Sequence, residues 1–209
     1  MPYAVLLEAA LQPCGWLAAY LGSALRSQTD LSFRNLGGKA VQHREVFPDA
    51  GTLTTRIKLT RVAQSVGMII QNYDMEMRAG DALVFKGDTY FGFFSKEALS
   101  DQKGVLGVTP YAPPDDAPAG PGALGDDPAG GLALPFKDLR MLDAITVFDP
   151  RGGPHGLGFL RGSKAVDPTE WFFKAHFYQD PVCPGSLGLE SFQQLLKYAA
   201  PPPGGADAP

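Results

Sequence analysis

Between Leu53 and Thr60 the chain alternates without a break. Leu53, Thr55, Ile57 and Leu59 are apolar or small, and Thr54, Arg56, Lys58 and Thr60 are polar. Tyr73-Asp74-Met75-Glu76-Met77-Arg78 repeats the pattern, and the turn Arg78-Ala79-Gly80-Asp81 leads into Ala82 to Phe94, rich in aromatic and branched residues. A period of two turns one face of each strand to a core and the other to water, as in antiparallel strands joined by hairpins. Parallel strands covered by helices on both faces read instead as near-continuous apolar runs, so a doubly wound parallel sheet is excluded here.

Ahead of this meander, Ala4 to Leu25 reads as one long apolar helix. Pro13 removes an internal hydrogen bond and is expected to kink it or tighten its first turns. Glu8, Gln12, Pro13 and Gly15 interrupt the run and no positive segment precedes it, so it makes a poor signal peptide or membrane span. The expectation is a buried helix of a cytoplasmic protein with no membrane span. Arg34 to Gly38 reads as a loop, and residues 1–108 as a helix followed by strands.

Pro, Gly, Ala and Asp make up 21 of the 26 residues from Thr109 to Leu134, which predicts an exposed linker over 109–134 without regular structure. The tail 201–209 has the same character. Residues 135–200 run in the opposite order: strands at Asp143–Phe148 and Gly156–Val166, a loop from Asp167 carrying Trp171 to Phe177, and a helix at Ser186–Tyr198.

The two helices share a fingerprint. Pro2, Glu8 and Gln12 have the spacing P-x5-E-x3-Q, and Pro184, Glu190 and Gln194 repeat it. Acids are favoured in a first helical turn for electrostatic reasons alone. Both glutamates nevertheless sit in apolar runs, where an unpaired carboxylate is costly unless it is neutral or used. His176 follows an aromatic run and precedes Pro184-Gly185, where a helix start leaves backbone N–H groups free to meet a carbonyl oxygen that gains charge. A base, an oxyanion donor and a carboxylic acid within about fifteen residues make a candidate proton-transfer site.

Other groups are weaker candidates. His43 and His155 lie in polar or glycine-rich contexts and read as solvated. Cys183 is close enough to His176 for a Cys–His nucleophile, but no third orienting group is evident, and it reads as an apolar filler. Cys14 and Cys183 alone cannot cage a metal and look like a reduced complement. With 44% hydrophobic and 19% charged residues the composition is globular, and a net charge of −4 with no basic block argues against nucleic acid and anionic membrane as partners.

In order and spacing, Leu142-Asp143 to Ile145, Gly152-Gly153, Gly156 to Gly158, Trp171-Phe172-Phe173, His176-Phe177, Asp180-Pro181-Val182, Pro184-Gly185 and Leu187-Gly188-Leu189 resemble the bacterial β-hydroxydecanoyl-thioester dehydratase-isomerase family. Gln12 with Gly15-Trp16 and Tyr20-Leu21-Gly22, and the strand end Phe91-Gly92-Phe93-Phe94, resemble the rest of the same fold. The tandem arrangement and the stretch Leu6 to Trp16 look most like dehydratase domains of polyunsaturated fatty acid synthases or related polyketide synthases.

The resemblance implies an α+β hotdog fold, a long antiparallel sheet wrapped around a central helix. Because the chain runs from helix to helix, it implies parts of two tandem hotdogs, a double hotdog. Residues 1–108 would be the helix and C-terminal strands of the first, and 135–200 the N-terminal strands, loop and helix of the second. A first His-bearing loop would lie before Met1 and a closing sheet after Tyr198.

The implied activity is dehydration of β-hydroxyacyl-acyl-carrier-protein thioesters to trans-2-enoyl thioesters. His176 would be the base and Glu8 the acid from the other hotdog's helix, with Glu190 at the matching place in the second helix. Gly185 would supply the oxyanion N–H, and Ser186, Phe177, Gln12 and Gln194 would surround the substrate. No metal or cofactor is implied beyond the carrier's phosphopantetheine. The implied partners are acyl carrier protein, other domains of a larger synthase, and a second hotdog in a dimer or pseudodimer. The family has Asp where both helices here have Glu, a departure that dehydration survives better than isomerisation. Two alternatives stand beside this: a hotdog thioesterase, disfavoured by His176 ahead of Pro184-Gly185, and a non-catalytic module that packs against an active dehydratase or docks carrier protein.

Overall fold

The computed structural model describes residues 1–65, 67–100, 104–125, 134–135, 137–177 and 179–200. The expected tail 201–209, and residues 126–133 of the expected linker, lie outside the described residues. The chain divides into two units, Met1–Leu106 and Gly107–Pro209.

In the first unit, helix α1 spans Tyr3–Tyr20 and runs through Pro13. It stops short of the expected Leu25, because Gly22 takes a left-handed φ of 68° and the chain restarts as a separate 3-10 turn, Ser23–Arg26. Strands β1 (Ser32–Gln42), β2 (Leu53–Ser65), β3 (Met68–Ala79) and β4 (Ala82–Phe94) form one antiparallel sheet in the order β1-β4-β3-β2. The expected loop Arg34–Gly38 is a correction: it lies inside β1. The pairing shifts between Asn35 and Gly37, and a Cβ on Gly38 would run into the Asp88 carbonyl. These glycines serve a bulge and a close strand approach rather than a turn. A short helix α2, Lys96–Ser100, follows the sheet.

The alternation decides which face is covered. Leu6, Ala10, Cys14 and Ala18 of α1 pack with Tyr73, Met75, Met77, Val84, Phe85, Phe91 and Phe93 on the inner face. The other face pairs Lys39 with Asp88, Lys58 with Asp74, and Arg56 with Glu76, so it stays in water. Tyr3–Leu25 is long and apolar enough by composition to cross a membrane, but one face of α1 is spent on this core.

A buried polar chain ties strand to helix. The Tyr73 hydroxyl donates to Gln71 Oε1 at 2.8 Å, Gln71 Nε2 donates to Ser23 Oγ at 2.7 Å, and the Ser23 hydroxyl donates to the Ala18 carbonyl at 2.9 Å. Tyr73→Phe strands the Gln71 oxygen in the core and is expected to cost about 1–3 kcal/mol in denaturant melts of the first unit. Burial pushes the Tyr73 hydroxyl up to about 12, with the Cys14 charge adding, and burial likewise pushes the Cys14 thiol up to about 12. Both groups are favoured neutral in the fold, so their contribution is full below about pH 9 and is lost as pH rises toward the folded values. Tyr73→Phe should remove part of that alkaline loss; an unchanged alkaline limb would contradict the assignment.

In the second unit, β5 (Ala119–Ala123), β6 (Ala144–Asp149) and β7 (Phe159–Ser163) form an antiparallel sheet in the order β5-β6-β7. β5 corrects the expectation of a linker without regular structure. A strand pairs through its backbone, and small residues let it approach: Gly120 lies against the backbone of Ile145 where no Cβ would fit. β7 is shorter than expected because Gly156 and Gly158, with φ of 67° and 111°, belong to the turn before it.

The expected aromatic loop also contains a helix, α3, Trp171–Ala175, held because Phe172 packs with Met141 and Leu187. Helix α4 spans Gly185–Ala199. The architecture in both units is α+β with antiparallel sheets.

Candidate active site

The loop between β7 and α3 is pinned before the site begins. Lys164 Nζ donates to Glu170 Oε1 at 2.6 Å and lies 3.6 Å from Asp143 Oδ1, and Trp171 Nε1 donates to the Asp138 carbonyl at 2.8 Å. Desolvation opposes the Lys164 charge, but the Glu170 hydrogen bond and the Asp143 charge hold its ammonium above the usual lysine value.

His176 caps the C-terminus of α3 with extended backbone, φ −135° and ψ 94°, so the chain leaves the helix and doubles back. Two nested pairings close the return. The Phe177 N–H donates to the Asp180 carbonyl at 3.0 Å and the Asp180 N–H to the Phe177 carbonyl at 3.2 Å. Outside them, the Val182 N–H donates to the His176 carbonyl at 2.8 Å. The imidazole joins the same residue, Nδ1 lying 2.8 Å from the Val182 carbonyl oxygen. A carbonyl can only accept, so Nδ1 carries the hydrogen and Nε2 keeps the lone pair of the neutral ring. Nε2 is therefore the basic edge. The Phe177 ring lies against the half-buried imidazole, with centroids 3.8 Å apart and planes 30° from parallel; the peptide bond joining the two residues is cis.

Val182 stands three residues before Gly185, the first residue of α4, or at most about 11 Å of extended chain. The N–H groups of Leu187 and Gly188 donate to the Pro184 carbonyl at 3.1 and 3.4 Å. The Gly185 N–H precedes any intrahelical acceptor, and a Cβ on Gly185 would meet open space. The positive end of the helix dipole is therefore accessible beside the imidazole loop. Ser186, the next residue, is buried.

Glu190 and Gln194 point the other way, into the second unit. Glu190 is 1% exposed and Gln194 is fully buried. Gln194 Oε1 accepts from the Met141 N–H at 3.0 Å, and Nε2 donates to the Leu139 carbonyl and to Glu190 Oε1, both at 2.9 Å. Gln194 was expected beside the substrate; its amide is instead consumed by backbone and by Glu190. The hydrogen bonds of His176 and Glu190 do not join. In the first unit the same pair lies at the surface: Glu8 is half-buried, Gln12 is exposed, and Gln12 Nε2 donates to Glu8 Oε2 at 3.5 Å.

The two copies of the fingerprint are thus covered on opposite faces. Leu6, Ala10 and Cys14, buried in α1, correspond to Gly188, Phe192 and Leu196 of α4, all exposed. Glu190, Gln194 and Tyr198, turned inward in α4, correspond to Glu8, Gln12 and Trp16, whose indole is 65% exposed and stacks on Tyr20 at 5.1 Å.

Cys183 gains no nucleophilic character here. Desolvation of its sulfur, then the Glu170 charge, push its thiol up. Val182, Leu139 and Met141 carry no signal in sequence, because each acts through backbone groups that every such residue possesses. The expected partner of His176, Glu8, belongs to the first unit, and His176 to the second.

Residues 134–207 match the FabA-like domain family. The chain is similar to a polyunsaturated fatty acid synthase subunit of Thraustochytrium sp., at 34% identity over 220 aligned residues. The alignment covers 96% of this chain and 15% of that protein, so the chain spans about 15% of the length of this curated relative. Among solved structures it is similar to a SecB-like chaperone of Mycobacterium tuberculosis in complex with an antitoxin peptide. That likeness covers 39% of this chain and 70% of the other at 18% identity and a TM-score of 0.25, too slight to inform the fold.

Proposed function

We propose, from the match of residues 134–207 to the FabA-like domain family, that this chain is part of a hotdog dehydratase acting on β-hydroxyacyl thioesters within a larger fatty acid synthase. The observation that carries the reading is the His176–Val182 clamp, which leaves Nε2 as a lone-pair edge on a loop that runs directly into the accessible N-terminus of α4. Nε2 takes the proton alpha to the thioester carbonyl, and the Gly185 N–H holds the enolate oxygen. A helix glutamic acid protonates the departing hydroxyl, which leaves as water, and the electron pair closes the trans-2-enoyl double bond. This chemistry asks for no metal or nucleotide. The acyl chain arrives on the phosphopantetheine of an acyl carrier protein, in the cytoplasm.

The opposite covering of the two helices supports the tandem arrangement. α1 has its sheet and lacks cover over Glu8, Gln12 and Trp16, whereas α4 has its strands and loop and leaves Leu189, Phe192 and Leu196 exposed. We take the chain as complementary parts of two hotdogs, the fold in which both helices would be covered on both faces, as a dimer or pseudodimer.

Glu8 is favoured as the proton donor over Glu190. A donor must meet substrate, and Glu190 is 1% exposed and bonded to Gln194. Turnover of a pantetheine-linked β-hydroxyacyl thioester by the synthase that carries this chain tests the assignment. Glu8→Gln is expected to lower kcat by about 10²-fold or more, and Glu190→Gln far less. The reverse order would move the acid to Glu190. No loss in either, or no turnover in the parent, would leave the non-catalytic module standing.

A further inference from the structure

We infer that Phe177 is a positioning residue for His176: its ring lies on the imidazole face and, with the Val182 carbonyl, fixes the ring so that the Nε2 edge is offered to a reacting group. The inference rests on reading His176 as the base. One hydrogen bond fixes one point of the imidazole and leaves the ring free to swing about the Nδ1–oxygen line. A contact on the face removes that freedom, and the 3.8 Å centroid separation is closer than aromatic pairs usually adopt.

The holding ring is itself held. Phe177 is tied to Asp180 at both its N–H and its carbonyl, inside the outer pairing of His176 with Val182. The arrangement also bears on charge. Among the described residues no carboxylate bonds the imidazole. When Nε2 takes a proton, the new charge meets a carbonyl dipole on one side and an aromatic face on the other, and an aromatic face attracts a cation.

NMR of the histidine rings, nitrogen-15 for the tautomer and carbon-13 relaxation for ring motion, reads this without turnover, since the chain has only three histidines. His176 is expected as a single tautomer with Nδ1 protonated. Phe177→Leu, apolar but without a ring, is expected to keep that tautomer, which the Val182 carbonyl sets, but to loosen the imidazole, so that carbon-13 relaxation of its ring C–H groups shows more motion. Phe177→Tyr is expected to keep the wild-type order. Hydrogen exchange at the Val182 amide shows whether the loop has survived; if Phe177→Leu exposes that amide, Phe177→Met, nearer in length and equally ringless, is read in the same way.

In turnover, Phe177→Leu is expected to lower kcat about 3- to 30-fold at unchanged KM, with Phe177→Tyr restoring it. An imidazole as rigid in the ringless variant as in the wild type overturns the assignment. So does a raised KM with unchanged kcat, the mark of a lost acyl contact. His176→Gln with full turnover would overturn the base reading instead, and the NMR result would stand apart from it.

Discussion

With His176 as the proposed base, the His176→Ala variant is expected to lower turnover of a β-hydroxyacyl thioester by about 10²–10⁴-fold, the usual contribution of a positioned general base. The fold should survive the change. His176 is half-buried, and its backbone bonds to Phe172 and Val182 do not depend on the side chain. The side chain gives up one hydrogen bond, to the Val182 carbonyl, which retains access to solvent or to a water once the ring is gone. His176→Gln separates the two roles, because an amide can still donate to Val182 but has no lone-pair nitrogen to accept a proton. Both variants should therefore be inactive while their unfolding midpoints stay near wild type. A His176→Gln protein that turns over at the wild-type rate would make the imidazole a packing and hydrogen-bonding residue only. The family match would then be the remaining support for dehydration.

The second large effect separates the two copies of the fingerprint. Gln194→Ala is expected to destabilise the second unit by about 3–5 kcal/mol, because it leaves the Met141 N–H, the Leu139 carbonyl and the Glu190 carboxyl without their buried partner. Gln12→Ala removes the same residue type from the corresponding place in α1, where the amide is exposed and its one bond, to Glu8, is long at 3.5 Å. That change should stay within about 0.5 kcal/mol. Denaturant melts read each unit in single-tryptophan variants: with Trp171→Phe, Trp16 reports on the first unit, and with Trp16→Phe, Trp171 reports on the second. Equal costs at the two positions would mean that Gln12 is buried in solution as Gln194 is, and that α1 is covered on the Glu8 face.

Much of the fold was legible because it is written in local periodicity. The alternation of Leu53–Thr60 and Tyr73–Arg78 placed β2, β3 and the turn to β4, since a period-two pattern satisfies only a strand with one face buried. β1 and β5 were missed for one reason. Glycines read from sequence as turn or linker signals, yet at Gly38 and Gly120 they permit a backbone approach that a Cβ would block. Whether a glycine bends a chain or lets two strands close together depends on the neighbour across the ladder, which sequence does not name.

The site divides along the same line. The sequence by itself determined that two helices of this chain carry Glu and Gln one turn apart behind a proline, and that His176 precedes the second helix. Spacing along a helix fixes which side chains share a face, and that is a local property of 3.6 residues per turn. Only the tertiary structure decided what each face meets. Gln194 closes on backbone groups of Leu139 and Met141, 55 and 53 residues away, while Gln12 bonds the side chain one turn above it and stays at the surface. The tautomer of His176 was settled in the same way, by the carbonyl of Val182. Backbone amides and carbonyls are common to nearly every residue, so the partners that turn one copy of the motif inward and leave the other outside exist only once the chain has brought them together.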